Sequence, residues 1–256
     1  MTPPEPPVWS VPANIRTLIK DNRGIVLDLR TGKLFALDST AADLWKAVEE
    51  HDRRVTLAQL VDSVGLRSRD RAHVEDRVRQ MLLLMEEKGL VSKTAAQNSK
   101  QLPEPGPPTE PNCWEHPVES RNVSNAPIRG WWVKRCTVYA FLGLSVIELI
   151  MRTLGFAGLF HAVQKWPVRA PRVSKPSIPE LCLAINKAAR WFPVGRRCLQ
   201  TAAITVSLLR WYGVPAEFVI GCRIFPFEGH AWGEVCESPI NEYEDVKSKY
   251  EVIARC

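Results

Sequence analysis

The sequence lacks the features that build metal and nucleotide sites. Its 256 residues contain seven cysteines and five histidines, and no two cysteines form a CxxC pair, so a structural zinc site is not expected. No glycine-rich phosphate loop is present, which predicts that the chain holds neither ATP nor another cofactor. The first ten residues contain no basic segment followed by an apolar one. We therefore expect a cytoplasmic chain with free thiols.

Long apolar runs are also scarce. The longest apolar stretch, residues 137–160, is interrupted by Glu148 and Arg152, which have the four-residue spacing of a helical salt bridge. The segment before Glu148 is about half as long as a bilayer span. It predicts a pair of amphipathic, buried helices hinged near Gly155 rather than a membrane anchor, and it leaves association with a membrane surface open.

Positive charge is in mild excess. The net charge is +6, and the whole excess lies beyond residue 130. Lys and Arg are scattered there rather than clustered, which is typical of a solvated surface and also suits an anionic peptide or an ATP-bearing partner.

Proline density divides the chain. Residues 101–112 are rich in proline and have no apolar period, which is typical of a semi-rigid linker. This predicts domains at 14–93 and 131–256, joined by a linker at 94–130. The proline-rich residues 1–13 are expected to be disordered or extended.

The first domain shows strands before helices. Strand patterns cover 15–20, 24–30 and 33–37, and helices are predicted from a Ser39 cap, from a Thr56 cap, and over about 68–88 before Gly89. This is a winged-helix order. DNA binding requires an uncompensated basic face. Acidic residues are interleaved with the arginines of the third helix, so DNA binding is not favoured. The arginines concerned are Arg67, Arg69, Arg71, Arg77 and Arg79.

The second domain combines a cysteine on a helix with a histidine on a strand. Helices are predicted over about 134–165, 180–191 and 198–212, and strands over 216–222, 230–236 and 250–254. Cys198 opens the last helix, and a helix N-terminus and the adjacent Arg196 and Arg197 lower the pKa of a thiol. His230 is the only histidine after residue 161, so it is the candidate base. This pair predicts acyl cleavage or transfer.

The remaining sulfur and indole groups have plainer roles. The cysteines at 182, 222 and 236 are expected to pack in the core, as is Trp191, although an indole at 191 could also donate to an oxyanion. Trp232 is expected to wall the site. The backbone N–H of Cys198 is the better candidate for the oxyanion donor.

Residues 24–45 contain the run Leu34-Phe-Ala-Leu-Asp38 and the pair Leu44-Trp45. This segment resembles the PqqD-like family, which recognises the leaders of ribosomal precursor peptides. The resemblance implies that a leader adds as a strand beside the third strand and contacts the third helix. The residues it places in leader binding are Leu34, Phe35, Ala36, Leu37, Val74, Arg77 and Val78. A core role is the alternative for these positions, and it is favoured for Leu44, Trp45 and Val48.

Residues 197–242 resemble the transglutaminase-like cysteine proteases of lasso peptide biosynthesis, in the order cysteine, helix, Gly-Val-Pro-Ala turn, strand and His-Ala-Trp. The family uses an aspartate just after the histidine strand. Glu242 stands at the matching position here, and Glu244 and Asp245 are alternatives for this third group. The resemblance implies an α+β chain in which a PqqD-like winged-helix domain is fused to a papain- or transglutaminase-like domain, with its nucleophile helix against an antiparallel sheet.

The fused arrangement resembles leader peptidases of lasso maturation. It implies a cysteine protease that binds a lasso precursor peptide and releases the core to an ATP-dependent lasso cyclase resembling asparagine synthetase. An acyl transferase that uses an amine instead of water, and a non-catalytic leader-peptide chaperone, are the alternatives.

Overall fold

The structure is a computed structural model that describes residues 7–65, 71–94, 128–171, 174–193, 198–243 and 245–256. These residues fall into an N-terminal and a C-terminal compact unit. Most of the predicted linker, residues 95–127, lies outside the described residues.

The N-terminal unit combines two small antiparallel sheets with three helices. Its elements, in chain order, are β1 (Val8–Ser10), β2 (Ile15–Lys20), β3 (Arg23–Asp28), β4 (Lys33–Leu37), α1 (Ser39–Glu50), β5 (Arg54–Thr56), α2 (Leu57–Gly65), α3 (Arg71–Glu87) and β6 (Ser92–Thr94). One sheet has the order β2-β3-β4 and the other β5-β1-β6. The predicted hairpin strands and the three helices are present.

Two local features of this unit need comment. Residues 8–10, expected to be disordered or extended, are extended: they form the central strand β1, because Trp9 is buried at 5% exposure and strands on both sides satisfy its backbone. The cap of α1 is Asp38 rather than Ser39, since the Asp38 carboxylate accepts a hydrogen bond from the Ala41 N–H at 2.8 Å. The Thr56 cap is present, with its hydroxyl accepting from the Gln59 N–H.

The C-terminal unit packs helices against one antiparallel sheet. Its elements are α4 (Gly130–Thr153), α5 (Gly155–Lys165), α6 (Ile178–Trp191), α7 (Cys198–Trp211), β7 (Glu217–Arg223), β8 (Glu228–Val235), β9 (Ser238–Ile240), α8 (Val246–Lys249) and β10 (Glu251–Arg255). The strand order is β10-β7-β8-β9. Helix α7 packs on β8, where a Cβ at Gly233 would lie 3.2 Å from Val206. The α+β class is confirmed.

Helix α4 is buried on one side only. Its buried stripe includes Cys136, Ala140 and Leu144, whereas Val138 and Leu142 are each 57% exposed. The helix ends before Gly155, whose φ of +66° makes the predicted hinge, and Arg152 bonds Glu148 at 2.8 Å. By length and composition alone α4 could cross a membrane, and 28% of its most apolar window is buried; this is weak evidence for a span.

Candidate active site

The thiol of Cys198 stands at the first residue of α7. The helix is anchored by a largely buried face, so the position of its first turn is set by packing against the rest of the unit. The four residues before Cys198 lie outside the described part of the chain. Arg196 and Arg197, which were predicted to lower the pKa of the thiol, are among these residues.

The imidazole of His230 is brought to this thiol by β8. His230 faces Gly221 across the β7–β8 pair, at the end of β8 that lies near the start of α7. Hydrogen bonding to the Cys198 thiol is the largest influence on the imidazole and raises the pKa of His230 to about 9; burial opposes this, and Glu242 adds to the increase. The ring is therefore held protonated at neutral pH.

The thiol is affected in the opposite direction. Cys198 is exposed as a residue, but loss of water around its sulfur is the largest single influence and raises its pKa. Hydrogen bonds from His230 and from the Ala231 and Leu199 N–H groups outweigh this effect. The net pKa of the thiol is lowered. A lowered thiol pKa beside a raised imidazole pKa favours a thiolate–imidazolium pair, which is the reactive form of a cysteine nucleophile.

A carboxylate holds the other side of the imidazole. Glu242 follows β9, and its Oε2 lies 3.0 Å from His230 Nε2. The His230 and Glu242 side chains are only 20% and 25% exposed. This bond occupies Nε2 and leaves Nδ1 as the ring nitrogen available to the thiol. The structure thus brings together all three predicted residues, Cys198, His230 and Glu242.

The alternative carboxylates are placed differently. Asp245 pairs with Lys249 at 2.6 Å and has half of its side chain exposed, so its charge is already engaged within α8. Glu244 lies outside the described residues. Of the described candidates for the third group, Glu242 is the one hydrogen-bonded to the imidazole.

A pair of asparagines supports the Glu242 segment. Asn241 adopts a left-handed backbone with φ of +61°. Its side-chain oxygen accepts a hydrogen bond of 2.6 Å from Asn186 Nδ2 on α6. Sequence reasoning missed both residues. An asparagine just before the candidate carboxylate was the available signal, because asparagine tolerates the left-handed conformation better than most residues.

Aromatic rings and a buried carboxylate line the far side of the histidine. Trp232 is 1% exposed, as predicted for a wall residue, and its indole donates to Glu234 at 2.8 Å. Glu234 is itself buried and pairs with Arg255 at 2.8 Å. The Tyr250 ring also lies beside the imidazole, which sequence reasoning missed. Trp232 is therefore fixed at both its ring and its polar end.

Burial disfavours ionisation of other thiols in the same unit. Burial raises the pKa of Cys222 to about 11 and that of Cys182 to about 12. Cys222 is fully buried, as predicted, whereas Cys182 and Cys236 are only partly so. The prediction of a core Trp191 is wrong, because it ends α6 with 75% of its surface exposed. Among the described residues, no group of His, Cys, Asp and Glu could hold a metal ion.

The predicted leader-binding residues divide into surface and core. Strand β4 pairs with β3, and its other edge faces no described strand. Leu34 and Phe35 are half-buried on β4, and Ala36 is exposed. On α3, Val74 is half-buried and Arg77 is exposed. Leu37 and Val78 are only 7% and 3% exposed and belong to the core, so they support this surface from beneath.

Comparisons with known families identify two domains in the chain. Residues 23–91 match the model of the coenzyme PQQ synthesis protein D (PqqD) family, and residues 141–255 match the transglutaminase-like superfamily. Neither the curated proteins nor the solved structures contain a match. Transglutaminase-like domains typically belong to cysteine-based enzymes, and a PqqD domain implies binding of a ribosomal precursor peptide, so the pair supports a role in leader processing. The chain is a fusion of a PqqD-like domain with a transglutaminase-like domain.

Proposed function

We propose that this protein is a leader peptidase of lasso peptide biosynthesis, a cysteine endopeptidase that binds the precursor's leader and cuts it from the core. The single observation that carries the proposal is the contact of the Cys198 thiol with an imidazole that Glu242 holds on its other nitrogen. The PqqD-like domain on the same chain supplies the reason why the substrate is a precursor peptide.

The first half of the reaction is acylation. The Cys198 thiolate attacks the carbonyl carbon of the last leader residue, and a carbon–sulfur bond forms as the carbonyl oxygen takes up negative charge. The backbone N–H of Cys198 is the candidate donor to that oxygen. The His230 imidazolium then gives its proton to the leaving nitrogen, and the carbon–nitrogen bond breaks. The core leaves with a free amine, and the leader remains as a thioester.

The second half is hydrolysis. The imidazole, now neutral, accepts a proton from water as the water oxygen attacks the thioester carbon. The carbon–sulfur bond breaks and the thiolate–imidazolium pair is restored. The leader departs as a carboxylic acid, which gives its remaining proton to the solvent. Glu242 keeps the ring oriented through both proton transfers, since it bonds the nitrogen that does not face the sulfur.

Leader capture uses the edge of β4 that faces no described strand. An extended peptide can hydrogen-bond to that edge, while Phe35 and Val74, both half-buried, contact its side chains. The exposed Arg77 on the same helix offers a positive charge to an acidic leader residue. Because both domains belong to one chain, capture raises the local concentration of the scissile bond at Cys198.

The released core amine is the substrate of the next step. An ATP-dependent lasso cyclase resembling asparagine synthetase is the partner that the family resemblance implies, and a cytoplasmic location would suit both the free thiol and the ATP supply.

Leader release by mass spectrometry tests the proposal. The full chain is incubated with a lasso precursor, with and without its cyclase, and Cys198→Ala is the matched control. We expect free leader from the native chain, and leader binding without release from the variant. Equal release by the variant would exclude the thiol mechanism. A leader–amine adduct formed in the presence of added amine, in place of the free acid, would assign the protein as an acyl transferase instead.

A further inference from the structure

The ring of Tyr250 lies beside the imidazole of His230. The two ring centroids are 5.1 Å apart and their planes differ by 28°, which is a stacked arrangement. Tyr250 immediately precedes β10, whose pairing with β7 sets the position of its backbone. The contact therefore joins the residue before β10 to β8, which carries the histidine and is separated from β10 by β7.

The far end of the tyrosine is held as well. Burial and hydrogen bonding of the hydroxyl to the Glu228 carboxylate both raise the pKa of Tyr250, so the phenol stays neutral. Glu228 is bonded in turn to Arg223 at 2.6 Å, and the Arg223 guanidinium lies 5.6 Å from the centre of the tyrosine ring. The ring is thus fixed at its backbone and at its hydroxyl, and it has little freedom to leave the histidine.

A missing side chain makes room for this ring. Gly221 lies opposite His230, and a Cβ there would come within 3.0 Å of the Tyr250 Cβ and 2.6 Å of the Trp232 indole. Any larger residue at 221 would displace one of the two rings. The stacked cluster of His230, Trp232 and Tyr250 therefore depends on a glycine in the adjoining strand.

The face of an aromatic ring attracts a cation. Its quadrupole is negative on the face, and it attracts a cation within about 6 Å of the centroid, more strongly where water is excluded. A neutral imidazole gains no such charge–quadrupole attraction. At 5.1 Å the Tyr250 ring therefore favours the imidazolium form of His230, which is the form that pairs with the thiolate.

We propose that Tyr250 is a positioning residue whose ring holds the His230 imidazole protonated and aligned between Cys198 and Glu242. Its relevance to catalysis rests on the proposed function, but its effect on the thiol does not, because ionisation of Cys198 is measured without any substrate.

The surrounding charges must stay constant for a test to isolate the ring. The titratable and charged groups facing His230 and Tyr250 are Cys198 on α7, Glu242 after β9, Glu228 on β8, Arg223 on β7 and Lys249 on α8. Substitutions confined to Tyr250 retain all five. The hydroxyl and the ring face are then separated by comparing a variant that lacks only the hydroxyl with one that lacks the ring.

Alkylation of Cys198 by iodoacetamide, followed by peptide mapping from pH 5 to 9, is the experiment. We expect Tyr250→Phe to match the native profile, because it keeps the ring. We expect Tyr250→Leu to shift the profile to higher pH and to react about 2- to 10-fold more slowly on its acidic limb, as the loss of a cation–π contact predicts. Tyr139→Leu, at a tyrosine on α4, is the control and should match the native chain.

A second variant guards against a folding defect in Tyr250→Leu. Pentafluorophenylalanine at position 250, introduced by nonsense suppression, keeps the shape of phenylalanine but reverses the charge on the ring face. It should behave like Tyr250→Leu. Coincident profiles for this variant and Tyr250→Phe would overturn the proposal, as would a Tyr250→Phe profile that matches Tyr250→Leu. If the precursor is never cleaved but the profiles shift as expected, the proposed function fails and the role of Tyr250 stands.

Discussion

The strongest structural prediction concerns Gly221, the residue opposite His230. In Gly221→Ala the new Cβ would lie 2.6 and 2.7 Å from Trp232 ring carbons and 3.0 Å from the Tyr250 Cβ. Contacts below 3.0 Å force a neighbour to move. Trp232 cannot move freely, because it is 1% exposed and its indole is bonded to the buried Glu234.

The expected cost follows from these contacts. Overpacking of a well-filled site costs about 1–3 kcal/mol. Loss of the indole hydrogen bond to a charged, buried carboxylate would add about 1.5–3 kcal/mol if the ring swings out. If the Trp232 ring moves to relieve the overpacking, its hydrogen bond to Glu234 is strained, so the two costs are not both incurred in full. We therefore expect the free energy of unfolding of the C-terminal unit to fall by about 2–4 kcal/mol.

Gly233→Ala is the matched control, since it makes the same substitution in the same sheet. There the new Cβ would lie 3.2 Å from Val206 Cγ2 and 3.5 Å from Thr205 Cγ2, so a small shift accommodates it. We expect a loss below about 1 kcal/mol. Because the two units need not unfold together, stability should be read from hydrogen exchange of the β7 and β8 amides. Equal stability of the two variants would refute this account of the ring cluster.

Three further predictions concern the site itself. Iodoacetamide at pH 7 should modify Cys198 at least about tenfold faster than Cys222, even after allowance for the weaker nucleophilicity of a low-pKa thiolate; comparable rates would contradict the assigned ionisation. This reactivity should persist at lower pH than that of an ordinary thiol, because a lowered pKa keeps the thiolate until the pH falls below it. Asn186→Ala should lower the rate of leader release, measured by mass spectrometry, about tenfold, because it displaces the group that orients the imidazole. Leader binding, measured by fluorescence anisotropy, should stay unchanged. An unchanged rate would show that the asparagine pair is not needed. Glu242→Gln should slow release more than Asp245→Asn, and the reverse order would reassign the third group.

Local sequence patterns predicted the elements that depend on local physics. The strands at 15–20 and 33–37 are short apolar stretches bounded by turn residues, and the helices that follow have caps and an apolar stripe, so their bounds were found to within a few residues. Cys198 and His230 could be found because each has a distinctive residue type, one at the first residue of α7 and the other at the third residue of β8.

Long-range contacts explain what the sequence did not reveal. Strand β1 is three residues long and lies among prolines, and only pairing with β5 and β6, far along the chain, makes it a strand. Asn186 and Asn241 are 55 residues apart, and no local pattern links them. Tyr250 meets His230 only because β10, which it precedes, lies in the same sheet as β8 with β7 between them. Trp191 was wrongly expected in the core because it is a large apolar residue. It lies at the end of α6, where no described element packs over it, and 75% of its surface is exposed.

The order of influences on His230 separates the roles of its two partners. Hydrogen bonding to Cys198 raises the pKa of the imidazole more than Glu242 does. The proton on the ring is therefore retained chiefly by the thiolate, and the carboxylate contributes mainly by fixing which nitrogen faces the sulfur. An orienting role depends on the position of the carboxylate oxygen rather than on the length of the side chain that carries it. A glutamate can therefore replace the aspartate of the proteases that this domain resembles, provided that its backbone lies one bond length farther from the imidazole. The left-handed turn at Asn241, hydrogen-bonded to Asn186 on α6, fixes the position of that backbone.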